Sequence, residues 1–185
     1  MNQEIISNTD FLRRHQDGVI LHGILPQEHA FVAAKLRELG LTQAMLVDQK
    51  VSVSGGDDWH DGAFRATDNE AKIVTEQAAV FQGLLRQQIV DYPVEDEPMA
   101  TLGSRVTVQL GTEQFDVGIV GSSRLHPAEI PPAIEPCSLE SPMAQALIGA
   151  IAGQATMLLL GDREKSIEVV RVDQTTIRGY LSEAP

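Results

Sequence analysis

The chain has 185 residues, enough for one medium domain or two small ones, with 14 Lys and Arg against 26 Asp and Glu and a formal net charge of −12. Its 43% hydrophobic and 22% charged residues exclude wholesale disorder. The acid excess excludes a nucleic-acid binder that clamps phosphates, since that needs Lys and Arg, and it favours a basic surface on a partner.

A single cysteine, Cys137, leaves no disulfide framework and no thiolate zinc cluster. No stretch approaches 18 consecutive apolar residues, and residues 1–16 lack an apolar run of signal-peptide length. The expected setting is the cytoplasm, away from membranes.

Along the chain, residues 7–10 are polar and turn-like, and Gly18, Gly23 and Pro26 punctuate a short apolar piece, Val19, Ile20 and Leu21. Beyond Pro26 the pattern turns helical, with Val32, Leu36 and Leu39 on one stripe of a 3.6-residue period. Gly40 weakens this helix without ending it, because Ala44, Met45 and Val47 follow. The β-like composition of residues 51–54 and the Gly55-Gly56 break predict a helix that frays toward Gly55. Residues 69–91 carry a second helical signal. Val74, Ala78, Phe81 and Leu85 alternate at spacings of four, three and four, the seam of a two-stranded coiled coil. Two such helices joined by a short acidic tip describe an antiparallel helical hairpin. Two ordinary amphipathic helices on a common core would give the same periodicity.

Pro93 and Pro98 bracket an acidic stretch that reads as a linker. After it, alternation at Val106, Val108 and Leu110, a turn at Gly111 and an apolar run over 115–120 predict two strands. Four prolines within 126–136 exclude a regular helix there. Ser141 and Pro142 supply an N-cap and a first-turn proline for a short helix that Gly149 and Gly153 close. Residues 155–160 and 166–172 read as two more strands around a Gly161-Asp162 turn. The expected class is α+β, a helical hairpin followed by a small β-rich domain with one short helix. The expected division is 1–27 as an N-terminal extension, 28–92 as the hairpin, 93–100 as a linker and 101–185 as the C-terminal domain.

This order resembles the bacterial Gre transcript-cleavage factors. The segment Ser141-Pro142-Met143-Ala144-Gln145-Ala146-Leu147-Ile148-Gly149 is similar to the family's SPIA-x-x-LIG. Ile119-Val120-Gly121 is similar to its IVG strand, and Gly103 to Val108 resembles its G-x-x-V-T-V entry to the C-terminal domain. In the second helix, Thr75-Glu76-Gln77, Gln82-Gly83-Leu84-Leu85 and Ile89-Val90-Asp91 agree as well. The resemblance covers roughly residues 28–173, and residues 1–27 have no counterpart. It implies an FKBP-like C-terminal domain that docks at the rim of the RNA polymerase secondary channel, with Ser141, Pro142, Met143, Ala144 and Leu147 at the polymerase. It implies further that the hairpin carries an acidic tip to the polymerase active site. There the tip would share a Mg²⁺ that the free protein does not hold and speed hydrolysis of backtracked RNA. RNA is then reached only through the polymerase, the factor is not an enzyme by itself, and the free protein is expected to be a monomer.

The tip reads Gly55-Gly56-Asp57-Asp58-Trp59-His60-Asp61-Gly62-Ala63-Phe64, against G-D-L-S-E-N-A-E-Y in the family. Mg²⁺ prefers carboxylate oxygens and keeps most of its waters, so one or two carboxylates on a probe suffice to share it. An ungapped match puts Asp57 on the family's Asp, His60 on its Glu and Phe64 on its Tyr; sliding by one residue puts Asp58 and Asp61 on the two acids. The acidic pair is either Asp58 with Asp61, as the metal-sharing pair, or Asp57 with Asp61, and Trp59 and His60 are tip contacts. Imidazole suits softer metals than Mg²⁺, although neutral His60 could shuttle a proton. The bland reading has these acids solvating a loop and capping the next helix. An alternative from the same family is a regulator that occupies the channel without cleavage, favoured by Trp59, His60 and Gly62 where the family has Ser, Glu and Ala. A peptidyl-prolyl isomerase would need an aromatic-lined proline pocket, and residues 100–185 hold only Phe115 and Tyr180. Cys137, in an apolar segment with no paired His, reads as buried filler.

Overall fold

A computed structural model describes residues 4–19, 22–53, 62–93, 98–122 and 133–174, and the side chains of all of these except 51–53 and 62–64. The chain divides into two compact units, one of Met1–His29 with Gln87–Pro185 and one of Ala30–Arg86. Mixed helix and sheet follows from the element order: β1 (Ile5–Ile6), α1 (Asn8–Gln16), β2 (Gly23–Ile24), α2 (Pro26–Val53), α3 (Gly62–Leu85), β3 (Gln88–Val90), β4 (Arg105–Leu110), β5 (Glu113–Val120), β6 (Ile134–Ser138), α4 (Pro142–Leu147), β7 (Ala155–Leu160) and β8 (Arg163–Asp173).

The first unit holds a five-stranded sheet in the order β6-β5-β4-β8-β7. β4 pairs antiparallel with β5 and β8, β7 antiparallel with β8, and β5 parallel with β6. Of the alternation read at Val106, Val108 and Leu110, the first two are buried and the third half-buried, and Val117, Ile119, Leu158, Ile167 and Val169 of the other strands are buried too. β6 contains Pro136 and Cys137, so the proline-rich stretch ends in a strand. The strand is at the sheet edge, where a residue without an N–H is tolerated. Residues 123–132 lie outside the described residues.

The same unit contains a second, three-stranded parallel sheet in the order β1-β3-β2. Ile5 and Ile6 pair with Ile89 and Val90, and Gly23 and Ile24 pair with Gln88 and Ile89. Ser7 caps α1, its hydroxyl accepting the Asp10 N–H, and Phe11 and Leu12 are buried on the inner face. Asn8 is buried too, and its amide donates to the carbonyls of Asp91 (3.0 Å) and Leu102 (2.9 Å). Phe11, Leu25, Val90 and Leu102 belong to one core cluster with the strands of the large sheet. The segment with no counterpart in the resembled family is therefore part of the β-rich unit, and so are the buried residues Pro93 and Ala100 from the linker stretch. Residues 94–97 lie outside the described residues.

The periodicity carries the second helix to 91, and here the structure differs. α3 ends at Leu85, the Arg86 N–H closes onto the Gly83 carbonyl at 3.2 Å, and residues 88–90 become β3. The cause is tertiary: Ile89 and Val90 are buried between two parallel neighbours, which outweighs the helical propensity of three residues.

The second unit consists of the long helices. α2 continues through Gly40 and ends at Val53, keeping residues 51–53 helical despite their β-like composition. On α3 the stripe Val74, Ala78, Phe81, Leu85 is the less exposed one, with Val74 buried and the other three half-buried. Lys50 in the last turn of α2 is ion-paired with Asp68 of α3. No helix among the described residues is long and apolar enough to cross a membrane.

Candidate functional site

The tip residues Asp57, Asp58, Trp59, His60 and Asp61 lie outside the described residues, in the connection between the end of α2 and the start of α3. Among the described residues no group of three or more His, Cys, Asp or Glu could hold a metal ion.

The α4 segment is described in full. Ser141 takes extended dihedrals (φ −72°, ψ 144°) and its Oγ accepts the Ala144 N–H at 3.1 Å, while Pro142 occupies the first turn. The Gln145 side-chain amide donates to the Leu139 carbonyl, holding the entry to the helix. Ala144 and Leu147 are fully buried, so they seat α4 on the sheet. Pro142 and Gln145 face solvent, and Met143 and Ala146 are half-buried at the rim of the core. Of the five residues read as polymerase-facing, then, Pro142 and Met143 offer outward surface, Ser141 caps, and Ala144 and Leu147 pack.

The helix stops at Gly149, whose φ of +81° is a backbone state that side-chain-bearing residues rarely adopt. Its N–H donates to the Ala100 carbonyl at 2.7 Å, and the Ala100 N–H donates to the Ala150 carbonyl at 2.8 Å. The IVG strand leads into the same region. The Leu139 N–H donates to the Val120 carbonyl at 3.1 Å, so β5 and the approach to α4 are zipped together.

Sequence reasoning missed Glu28. Its side chain is wholly buried at the first turn of α2. Its Oε2 accepts the Leu25 N–H at 2.7 Å, the reach-back half of a capping box. Both carboxylate oxygens accept the Gly121 N–H, at 2.9 and 3.1 Å, and Oε1 lies 3.4 Å from the Ser122 N–H. Gly121 is required there, because a Cβ would sit 2.6 Å from both Glu28 Oε2 and the Gly23 carbonyl. The signal was present in the run Leu25-Pro26-Gln27-Glu28, a proline at the first helical position with a glutamate two residues on.

Two titratable groups near α4 and the sheet are shifted. Burial, aided by the nearby Glu135 charge, raises the Cys137 thiol to about 11 against a weaker opposing hydrogen bond from Ser141. It is a thiol at neutral pH and a poor nucleophile, as expected of buried filler. Burial pushes the Asp116 carboxyl up, but hydrogen bonds from Thr107 and Arg105 and the positive charges of Arg105 and Arg171 outweigh it, leaving its pKa below the ordinary value. This ladder of charges across β5, β4 and β8 is structural.

No protein-family model matches the chain, and no curated protein does. Among solved structures, it is similar to the GreA factor homolog 1 (Gfh1) protein of Thermus thermophilus, at 18% identity over 82% of this chain and 97% of that one, with a TM-score of 0.38. It is similar in the same way to Thermus aquaticus Gfh1, at 19% identity over 82% and 97% and a TM-score of 0.37. A GreA/GreB elongation factor from Nitrosomonas europaea matches at 15% identity over 82% and 97%, with a TM-score of 0.33.

Proposed function

We propose that this protein is a Gre-like transcription factor that binds bacterial RNA polymerase and enters its secondary channel with the α2–α3 end first. The observation that carries the reading is the segment Ser141–Gly149, similar to a family motif in sequence and folded as the motif's chemistry requires. Ser141 caps, Pro142 starts the helix, and Ala144 and Leu147 lock it to the sheet. Gly149 ends it, and the outward Pro142 and Met143 are left for a partner. Two long helices, of 28 and 24 residues, have lengths of roughly 42 and 36 Å at 1.5 Å per residue.

In this reading the tip acids, Asp58 with Asp61 or Asp57 with Asp61, contribute carboxylate oxygens near the polymerase active site. A Mg²⁺ shared there supplies the activation of water. The polymerase makes the catalytic site and this chain makes none by itself. A backtracked elongation complex with end-labelled RNA tests the reading. Adding the protein should shorten the RNA from its 3′ end, and Asp58→Ala with Asp61→Ala should abolish the shortening.

A second reading is favoured by the tip sequence, where His60 falls on a family Glu and Trp59 and Gly62 replace Ser and Ala. In it the protein occupies the channel without cleavage. Competition against a cleavage-competent Gre factor, with intact RNA and slowed elongation, identifies that outcome. Intact RNA without competition removes both readings.

A further inference from the structure

The five-stranded sheet treats its two edges in opposite ways. The β6 edge carries Glu135 and Pro136, a charge and a missing N–H of the kind that discourage a further strand. The β7 edge carries neither. Its six residues read Ala-Thr-Met-Leu-Leu-Leu, and among the described residues it is paired on its β8 side only. The other side presents backbone N–H and C=O groups in strand geometry, with no proline to interrupt them.

The side chains repeat the contrast. Ala155, Met157 and Leu159 share the outer face with Glu168, Ser166 and Glu164, their partners on β8, and Glu168 lies opposite Gln109 of β4. That face is polar one and two strands in from the edge and apolar at the edge itself, where Met157 and Leu159 are 53% and 57% exposed. A sheet that guards its edge against other chains places its charges the other way round. The charge pattern along the chain singles out the same place. No Asp, Glu, Lys or Arg occurs in the 21 residues from Ser141 to Gly161, whereas the next longest such run has ten, from Gly18 to Gln27.

We propose that β7 is a self-association edge, which pairs antiparallel with β7 of a second copy about a twofold axis perpendicular to the sheet and joins two five-stranded sheets into one. The charge pattern chooses the occupant. A twofold contact sets each surface against itself, so in a chain of net charge −12 most of the surface would meet its own charge. Of the five strands of this sheet only β7 is free of charged residues. A basic or acidic partner finds no counter-charge on it, whereas a second β7 offers the same neutral edge and the same apolar side chains. Residues directly opposite in an antiparallel pair share a face, so Met157 and Leu159 of the two copies lie side by side on the outer face. The contact is independent of the function proposed above, and it puts a dimer in place of the monomer that the family resemblance implies. A two-strand contact is smaller than a standard interface, so half-association is expected at about 10–100 μM.

The test is sedimentation equilibrium of the full chain from about 1 to about 500 μM. It compares the unaltered chain, M157K/L159K, M157E/L159E, an equimolar mixture of those two variants, and I73K/V80K on α3. The unaltered chain should rise with concentration toward twice the monomer mass. Each β7 variant alone should associate at least about tenfold more weakly, since like charges then lie opposite each other. The mixture should recover the dimer, because Lys then lies opposite Glu. I73K/V80K, which removes exposed apolar side chains from the helical unit, should stay within about twofold of the unaltered chain. Circular dichroism melts verify folding. Should the double variants lose their cooperative melt, L159K and L159E are read instead, alone and mixed, with an expected loss of about threefold and the same recovery. An unaltered chain that stays monomeric throughout overturns the dimer. Hydrogen exchange of the β7 amides then names the occupant, as the chain's own residues if they are protected in the monomer, or as RNA polymerase if core enzyme is needed to protect them. A dimer that the β7 variants leave unchanged, or that the mixture does not restore, overturns the pairing of β7 with itself. Each of these outcomes leaves the proposed function to the RNA-shortening assay.

Discussion

The two units of this protein are held together in different ways. In Ala30–Arg86, only Val32, Leu46, Thr67 and Val74 are buried among the described side chains, while Leu41, Met45, Val47, Ile73 and Val80 stand exposed. In Met1–His29 with Gln87–Pro185, a continuous core runs from Ile6 and Phe11 through Leu102 and Ile119 to Leu147 and Val169. The helical unit therefore depends on intrinsic helix stability and a thin apolar seam, and the sheet unit on tertiary burial and satisfied polar groups. Under the proposed function, the sheet unit is the part that recognises and the helical unit the part that reaches.

The strongest challenge to this contrast is Phe11→Ala. Phe11 is fully buried in a segment that the sequence reads only as an N-terminal extension. Truncation should cost about 3–5 kcal/mol of the sheet unit's stability in denaturant unfolding. Hydrogen exchange of the α2 and α3 amides should change far less. Equal loss of protection in both units would collapse the distinction.

Next in size is Glu28→Ala, which strands the buried N–H groups of Leu25 and Gly121. The expected loss is about 2–3 kcal/mol, read as a shift of the denaturation midpoint at constant slope. A loss below about 0.5 kcal/mol would mean that water replaces the carboxylate, and that the first turn of α2 is less firmly seated than its hydrogen bonds imply.

Gly40→Ala and Gly83→Ala sharpen the comparison from the other side. Neither position has any atom within 4 Å of an added Cβ, so helix propensity alone decides the outcome. Together they should stabilise the helical unit by about 1–2 kcal/mol, seen as a higher melting temperature by circular dichroism at helix wavelengths. The sheet unit should be indifferent.

The smallest effect is the pH dependence at Asp116. Its folded pKa is depressed, so its contribution is present above the unfolded carboxylate pKa and lost as pH falls through the lower folded value. Stability of the native chain minus that of Asp116→Asn should be under about 1 kcal/mol near neutrality and shrink as pH falls below the ordinary carboxylate range and through the depressed folded value. A gap that widened on acidification would reverse the assigned sign.

What the amino-acid order reveals follows the same division. Strand β4 is legible because it is long enough for alternation to repeat, β5, β7 and β8 because apolar runs of strand length flank glycine turns, and α4 because Ser141 and Pro142 announce its start. The α3 seam is legible for the same reason, since Val74, Ala78, Phe81 and Leu85 span three turns. β1, β2 and β3 have only two or three residues each, too few to show a period. They exist through pairing with one another, which local sequence does not encode. Asn8 is similarly opaque, since its amide bonds carbonyls far along the chain. Of the candidate site, the capped start of α4 was readable, but which of its residues face outward was not, since Ala144 and Leu147, read with Ser141, Pro142 and Met143 as partner-facing, are buried. The role of Glu28 was written in a capping pattern whose second partner, Gly121, is 93 residues away.

The small parallel sheet has a kinetic consequence. Its middle strand, β3, is inserted between β1 and β2 only after the whole of α2 and α3 has been made. The N-terminal residues must therefore wait for their pairing partners as the chain emerges, with Ile6, Phe11 and Ile24 unburied in the interval. The long helices form from local contacts and early, whereas the sheet unit must close a long loop before β3 can pair with β1 and β2. Refolding should then be biphasic, a fast helical phase followed by a slower closure of the sheet unit, and a chain stopped before Gln88 should retain helix while leaving its first two strands unpaired.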